Sequence, residues 1–262
     1  MPFRVDVGLE SACGQREENQ DRVAFFDSQF GRVFVLADGM GGHSGGAIAS
    51  SIAVSNLSQV MQTLPASIPP DEALVQGIQG LNSMILEEAQ RGEEKTRQMG
   101  STVVALLLCD TAEGLLAVGA HVGDSRLYFA RGQQMFCLTQ DHTVVQQLVA
   151  TGALTSDQAF RHPQASVLTR ALGRATSIPV ELTSWTMVLP GDVFLLCSDG
   201  LSGYADDAAI RKTLLQMEPA EQIARQLVGL AFEKESQDNI SVIVIRVADV
   251  APEWTTAGPN HN

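Results

Sequence analysis

Between Val103 and Leu138 four short apolar runs follow one another with no stretch of helical period between them: Val103–Cys109, Leu115–His121, Leu127–Ala130 and Met135–Leu138. Runs this short, rich in valine, leucine and phenylalanine and separated by only a few residues, read as strands joined by hairpins. A doubly wound parallel sheet would need a helix between each pair, so the chain is expected to build antiparallel sheet. Similar runs stand at Val23–Phe26, Val33–Ala37, Val193–Cys197 and Ile240–Val247.

Three other segments carry a helical period. Val54, Leu57, Met61 and Leu64 share one face, as do Leu74, Ile78, Leu81 and Ile85, and as do Ile223, Leu227 and Leu230. A helix with a single apolar face has to lay it on something, and here that is a sheet. The expected class is α+β, with helices covering stacked sheets. Pro65, Pro69 and Pro70 mark Pro65–Pro70 as a connector whose prolines are expected to stay outside both neighbouring helices.

The 262 residues suit one large domain, expected over 1–250, with 251–262 a mobile tail because that stretch mixes proline, glycine and small polar residues without apolar period. Hydrophobic residues at 45% and charged ones at 18% describe a globular chain. A formal net charge of -13 repels phosphate backbones and anionic headgroups, which argues against nucleic acid and membrane surfaces as partners. The four cysteines, Cys13, Cys109, Cys137 and Cys197, form no C-x-x-C pair and read as reduced thiols. The start, MPFRVDVGLE, has neither a basic nor an apolar leader region, and no run approaches membrane-spanning length. A cytoplasmic setting is expected.

The chemistry lies in the aspartates. Val33–Ala37 ends at Asp38-Gly39, and Val193–Cys197 ends at Ser198-Asp199-Gly200, so each carboxylate stands where a buried strand emerges, with a glycine after it to let backbone approach a ligand. Asp238-Asn239 precedes Ile240–Val247, Asp21 precedes Val23–Phe26, and Asp124 lies in Gly123-Asp124-Ser125-Arg126 between two strands. If these strand ends meet, they form a carboxylate cluster, which persists by raising a pKa or by holding cations. An all-oxygen donor set favours magnesium or manganese over zinc or copper. Any one Asp-Gly after a strand is ordinarily a turn; the repetition is what points to metal. Arg16, in the loop before Asp21, has the shape to grip a phosphate, or else pairs with Glu17 or Glu18 at the surface.

In order, the segments Arg16-x-x-Asn19-Gln20-Asp21, Asp38-Gly39-Met40-Gly41-Gly42-His43, Gly100-Ser101-Thr102, Gly123-Asp124-Ser125-Arg126, Thr139-x-Asp141-His142, Leu168-Thr169-Arg170-Ala171-Leu172-Gly173, Ser198-Asp199-Gly200 and Asp238-Asn239-Ile240-Ser241-Val242 span nearly the whole chain. Together they resemble the PP2C (PPM) family of metal-dependent protein serine/threonine phosphatases, especially its bacterial members. The resemblance implies two stacked antiparallel β-sheets flanked by helices, a four-layer α-β-β-α sandwich, with a small flap subdomain over about 141–178. It implies a core site of two Mn2+ or Mg2+ ions, with Asp38 bridging them, the carbonyl of Gly39 ligating one, and Asp199 and Asp238 completing the other. Asp21 would act through metal-bound water, Asp124 would hold a third, weaker ion, and Arg16 would bind the substrate phosphate. In such a site two ions roughly 3.5–4 Å apart activate a water for in-line attack, and no protein nucleophile is needed.

The resemblance further implies hydrolysis of phosphoserine and phosphothreonine in proteins, with phosphorylated proteins as partners and a cognate serine/threonine kinase opposed. Animal members place a histidine directly after Asp-Gly, where this chain has Met40, and many relatives have glutamate at Gln20. The acid that protonates the leaving oxygen is therefore open, with His43 a candidate. Within the flap, Arg161, His162, Arg170 and Arg174 face either substrate or solvent. Two competing classes remain. Gly42-x-Ser44-x-Gly46 fits a serine-esterase elbow, although that elbow should follow its strand at once and the strand ends at Asp38. An inactive binding module on the phosphatase fold would have lost the aspartates, which are present.

Overall fold

A computed structural model describes residues 3–41, 45–92, 96–160 and 162–249. In chain order the elements are β1 (Phe3–Ala12), β2 (Asp21–Ser28), β3 (Gly31–Met40), α1 (Gly45–Thr63), α2 (Pro70–Arg91), β4 (Gly100–Ser101), β5 (Val103–Thr111), β6 (Gly114–Val122), β7 (Arg126–Arg131), β8 (Gln134–Cys137), α3 (Val144–Ala150), α4 (Ser156–Phe160), β9 (Glu181–Leu182), β10 (Thr186–Met187), β11 (Val193–Cys197), α5 (Asp199–Ser202), α6 (Asp207–Leu214), α7 (Ala220–Glu233) and β12 (Ile240–Asp249).

One sheet runs β1-β12-β11-β7-β8, the other β10-β6-β5-β3-β2 with β4 on β3 and β9 on β6. Every pairing is antiparallel, as the hairpin spacing predicts. The period of two along a strand sorts its residues between two cores. On β3, Val33, Val35 and Ala37 join the cluster under α1 and α2, while Phe34 and Leu36 join the one between the sheets. On β5, Val103, Ala105 and Leu107 face the helices, and Val104, Leu106 and Leu108 face the other sheet. Ile210, Leu214, Ile223 and Leu227 of α6 and α7 cover the outer face of the five-stranded sheet. The result is four layers, helices–sheet–sheet–helices. It also explains why the central strands read as unbroken apolar runs: both faces are buried, each such side chain contributing roughly 1.5–3 kcal/mol.

Several boundaries differ from the sequence expectation: β2 already includes Asp21, and β3 does not end at Asp38 but runs on through Gly39 to Met40, where it pairs with β4. Pro70 is the first residue of α2, with Pro69 just before it. A proline is tolerated there because the first helical N–H needs no partner within the helix and the fixed φ already suits it. Leu64 and Leu138 each fall just past their elements, although Leu64 still packs on the core beneath α1 and Leu138 on the core between the sheets. The expected tail 251–262 and the candidates His43, Ser44 and Arg161 lie outside the described residues. Among the described residues no helix is long and apolar enough to cross a membrane.

Candidate active site

The aspartates meet at one end of the sandwich. Asp21 opens β2 directly opposite Asp38 near the end of β3, in one sheet. Asp199 follows β11 as the first residue of α5, and Asp238 precedes β12, the neighbour of β11 in the other sheet. Asp124 stands in the turn between β6, in the first sheet, and β7, in the second. All five therefore sit where the two sheets end together, which a strand-end placement in sequence suggests but only the stacking achieves.

Backbone and hydroxyl groups lock this arrangement. The Ser198 hydroxyl donates to Asp21 Oδ2 at 2.8 Å and accepts from Ser241 N–H at 3.0 Å, tying one sheet's carboxylate to the other sheet's strand ends. Thr102 N–H donates to the Asp38 carbonyl at 2.8 Å, and Asp38 N–H donates back to the Thr102 hydroxyl at 3.0 Å. That hydroxyl also bonds the Ser125 hydroxyl at 2.7 Å, so the strand end bearing Asp38 is joined to the turn bearing Asp124. Gly39 is required by packing: a Cβ there would stand 2.0 Å from the Gly46 carbonyl oxygen at the start of α1.

The loop between β1 and β2 carries Arg16 over the cluster. The Asn239 side chain holds this loop by donating to the carbonyls of Cys13 at 2.8 Å and Glu18 at 3.0 Å, and by accepting from Gln20 N–H at 2.8 Å. Arg16 Nη2 donates to Asp238 Oδ2 at 2.9 Å, so its partner is a site carboxylate rather than Glu17 or Glu18.

In the absence of a cation Asp21, Asp38, Asp124 and Asp199 hold protons unusually tightly. Burial, reinforced by the charges of Asp21, Asp199, Asp124 and Asp238, drives Asp38 well above the usual range. Burial, with Asp199 and Asp141 adding to it, does the same to Asp124. Asp199 rises from 3.8 to about 7 through burial and the nearby Asp238 and Asp21. Asp21 rises from 3.8 to about 6 because burial outweighs the hydrogen bonds from Ser198 and others. Two buried oxygens, Asp21 Oδ1 and Asp199 Oδ1, have no hydrogen-bond partner among the described residues. Clustered carboxylates with orphaned oxygens, and no sulfur or imidazole among them, fit hard divalent cations.

The other candidates part company with the cluster. Arg170 sits on His142 and Glu181, Arg174 donates to the Gln98 carbonyl at 2.8 Å, and His162 accepts from Gln164 N–H. Sequence reasoning gave no role to Thr102, Ser198, Asn239 or His142. The signal was their place in the motif segments around the aspartates.

Stacked antiparallel sheets between helices, with five carboxylates and an arginine at the sheets' common end, define a hydrolase of the metal-dependent phosphatase class. The model of the protein phosphatase 2C family matches residues 10–239. The serine/threonine phosphatase Stp of Listeria innocua is 32% identical over 250 residues, covering 93% of this chain and 94% of its own. The structure of Stp1 from Staphylococcus aureus aligns with a TM-score of 0.84 at 30% identity, covering 93% of this chain and 95% of that one. The catalytic domain of PstP, solved with two manganese ions, aligns with a TM-score of 0.80 at 30% identity over 94% of this chain and 100% of that one. The chain belongs to the protein phosphatase 2C family.

Proposed function

We propose that this chain, a metal-dependent protein serine/threonine phosphatase by family, works through the five aspartates and Arg16, on phosphoproteins opposed by a serine/threonine kinase. The observation that carries the reading is the cluster itself: Asp21 and Asp38 paired across β2 and β3, Asp199 and Asp238 brought against them by the second sheet, and orphaned oxygens on Asp21 and Asp199. Asp38 and the Gly39 carbonyl, with Asp199 and Asp238, would hold two Mn2+ or Mg2+ ions, Asp21 would support them through water, and Asp124 would hold a third. Such ions supply charge neutralisation at the phosphoryl oxygens and a water activated for attack.

The protein's own groups bind and orient. Arg16 is exposed enough to turn its remaining donors toward a phosphoryl group while Asp238 holds its position. Ser198 orients the Asp21 carboxylate and Thr102 fixes the main chain that carries Asp38, which reduces the ordering required when the site acts. His43 is proposed as the group that protonates the departing serine or threonine oxygen. A single domain over 1–250, with 141–178 as a flap beside the site, completes the proposal, as does action in the cytoplasm without nucleic acid or membrane partners. Family membership and the intact aspartates leave the serine-esterase and inactive-module readings without support.

Purified protein should hydrolyse p-nitrophenyl phosphate and phosphothreonine peptides when manganese or magnesium is added. A folded sample inactive with both metals defeats the proposal.

A further inference from the structure

His121, His142 and Glu181, none of them among the site aspartates, lie close enough for one donor atom from each to fall within 4.8 Å of the others. The rings do not converge on a common point. They stack with centroids 4.6 Å apart and planes 14° from parallel, so their in-plane lone pairs occupy separate layers. Arg170 Nη1 also lies 3.1 Å from His142 Nε2, where a cation would have to sit. The three groups are better described by their protons.

His142 is buried, and both of its ring nitrogens are engaged. Gly123 N–H donates to Nδ1 at 3.1 Å, which places a lone pair there and the ring proton on Nε2, so Arg170 Nη1 at 3.1 Å from Nε2 is a close approach and not a second hydrogen bond. Nε2 then donates to Glu181 Oε2 at 3.0 Å. Burial, with His121 and Arg170 adding to it, lowers the His142 pKa and keeps the ring neutral in this tautomer. His121 complements it by donating from Nε2 to the Gln140 carbonyl at 2.9 Å, bracing the residues just before His142.

The main chain of His142 repeats the attachment to Gly123 and adds one to Thr169, within the 141–178 segment. Its N–H donates to the Gly123 carbonyl at 2.9 Å, and its carbonyl accepts from Thr169 N–H at 2.7 Å. The preceding residue, Asp141, grips Arg126 through two bonds of 2.9 and 2.7 Å. The turn Gly123-Asp124-Ser125-Arg126 is thus held at both ends by the dipeptide Asp141-His142. That dipeptide begins the 141–178 segment, and Glu181 on β9 follows the segment's end. Gly123 has φ +109°, a conformation side chains rarely adopt, and a Cβ there would meet Thr102 at 2.6 Å. Gly123 thus packs directly on Thr102, whose hydroxyl meets Asp38 N–H and Ser125, so a change in the clamp is felt at the Asp124 turn.

We propose that His142 is a positioning residue that transmits the placement of Glu181 and the 141–178 segment to the Asp124 turn, so that activation by divalent cations depends on a residue, Glu181, that touches none of the aspartates. This rests on the reading of Asp124 as a cation ligand.

The experiment titrates Mn2+ into the full chain by calorimetry and, in parallel, against p-nitrophenyl phosphate hydrolysis, the calorimetric and half-activating midpoints being expected to shift together, with melting temperature measured to confirm folding. Asp124→Ala defines the shift in half-activating Mn2+ caused by losing the ligand. Glu181→Ala should raise the half-activating concentration about fivefold while leaving the rate at saturating Mn2+ within about twofold of wild type. Glu181→Gln, which keeps an acceptor for Nε2, should restore it. His142→Asn can offer an oxygen at the Nδ1 position to Gly123 yet cannot reach Glu181, so it should match Glu181→Ala, and the double variant should be no worse than either single. His142→Gln places its amide nitrogen at the Nε2 position and loses the Gly123 acceptor, so it should shift further. An unshifted midpoint in Glu181→Ala, or a double variant showing the product of the single effects, overturns the relay. If Asp124→Ala itself leaves the midpoint unchanged, the ligand assignment fails and the relay falls with it.

Discussion

Asp21 on β2 and Asp38 on β3 are direct cross-strand partners. Two carboxylates so placed in a buried site cannot both ionise without a counter-charge. Asp38→Asn should therefore act in opposite directions on stability and function. Without metal it removes one buried acid and should raise the melting temperature in EDTA, while turnover falls by at least about a thousandfold and high-affinity metal binding disappears from calorimetry. Retained turnover would remove Asp38 from the centre of the site.

The same crowding gives the metal-free fold a pH dependence of definite sign. Asp21 at about 6 and Asp199 at about 7 lie above the unfolded value of 3.8. Groups whose pKa is raised by folding favour the native state fully below the unfolded pKa. That contribution is then lost as pH climbs through the folded values. EDTA-treated protein should melt at a lower temperature at about pH 8 than at about pH 5, by an amount reflecting at most a few kcal/mol. Saturating Mn2+ should flatten the dependence and, at about pH 6, should bind with proton release detectable in buffers of different ionisation enthalpy. A metal-free melting temperature that rises from about pH 5 to about pH 8 would contradict the raised values.

How much of this was legible in the sequence follows from which forces are local. Strands buried on both faces announce themselves as unbroken apolar runs, which is why β3, β5, β6, β11 and β12 read directly. β1 is quieter, because Val5, Val7 and Leu9 face the inter-sheet core while Asp6, Gly8 and Glu10 alternate with them. The second set makes sense only under α7, where Asp6 accepts from Ala220 N–H at 2.9 Å and a Cβ on Gly8 would stand 2.2 Å from Ala220. The aspartates were legible because each marks a strand end. Their supports were not, since Thr102 reaches Asp38 and Ser198 reaches Asp21 across distant sequence, and no periodicity records such a bond.

Thr102 gives a test of that support. Thr102→Val keeps the shape and deletes the hydroxyl, leaving Asp38 N–H without its acceptor and Ser125 without its partner. The expected loss of stability is about 1–3 kcal/mol. The informative readout is kinetic: kcat should fall about tenfold or more at saturating Mn2+, because both the Asp38 strand end and the Asp124 turn are loosened. Thr102→Ser retains the hydroxyl and should recover most of that kcat even if it melts lower through its missing methyl. Equal kcat in the two variants would reduce Thr102 to packing.

Arg16 separates binding from folding. Its side chain is 58% exposed and its partner Asp238 26%, so their ion pair contributes at most about 1 kcal/mol, and Arg16→Ala should leave the melting temperature almost unchanged. If the guanidinium grips the phosphoryl group, kcat/KM for phosphothreonine peptides should drop roughly 10- to 100-fold, mainly through KM, and inorganic phosphate should inhibit more weakly. Arg16→Lys keeps the charge but not the planar fork, so it should recover only part of the loss. An Arg16→Ala enzyme with unchanged KM and phosphate inhibition would leave Arg16 as no more than a partner for Asp238, and phosphate recognition would have to come from the metal ions alone.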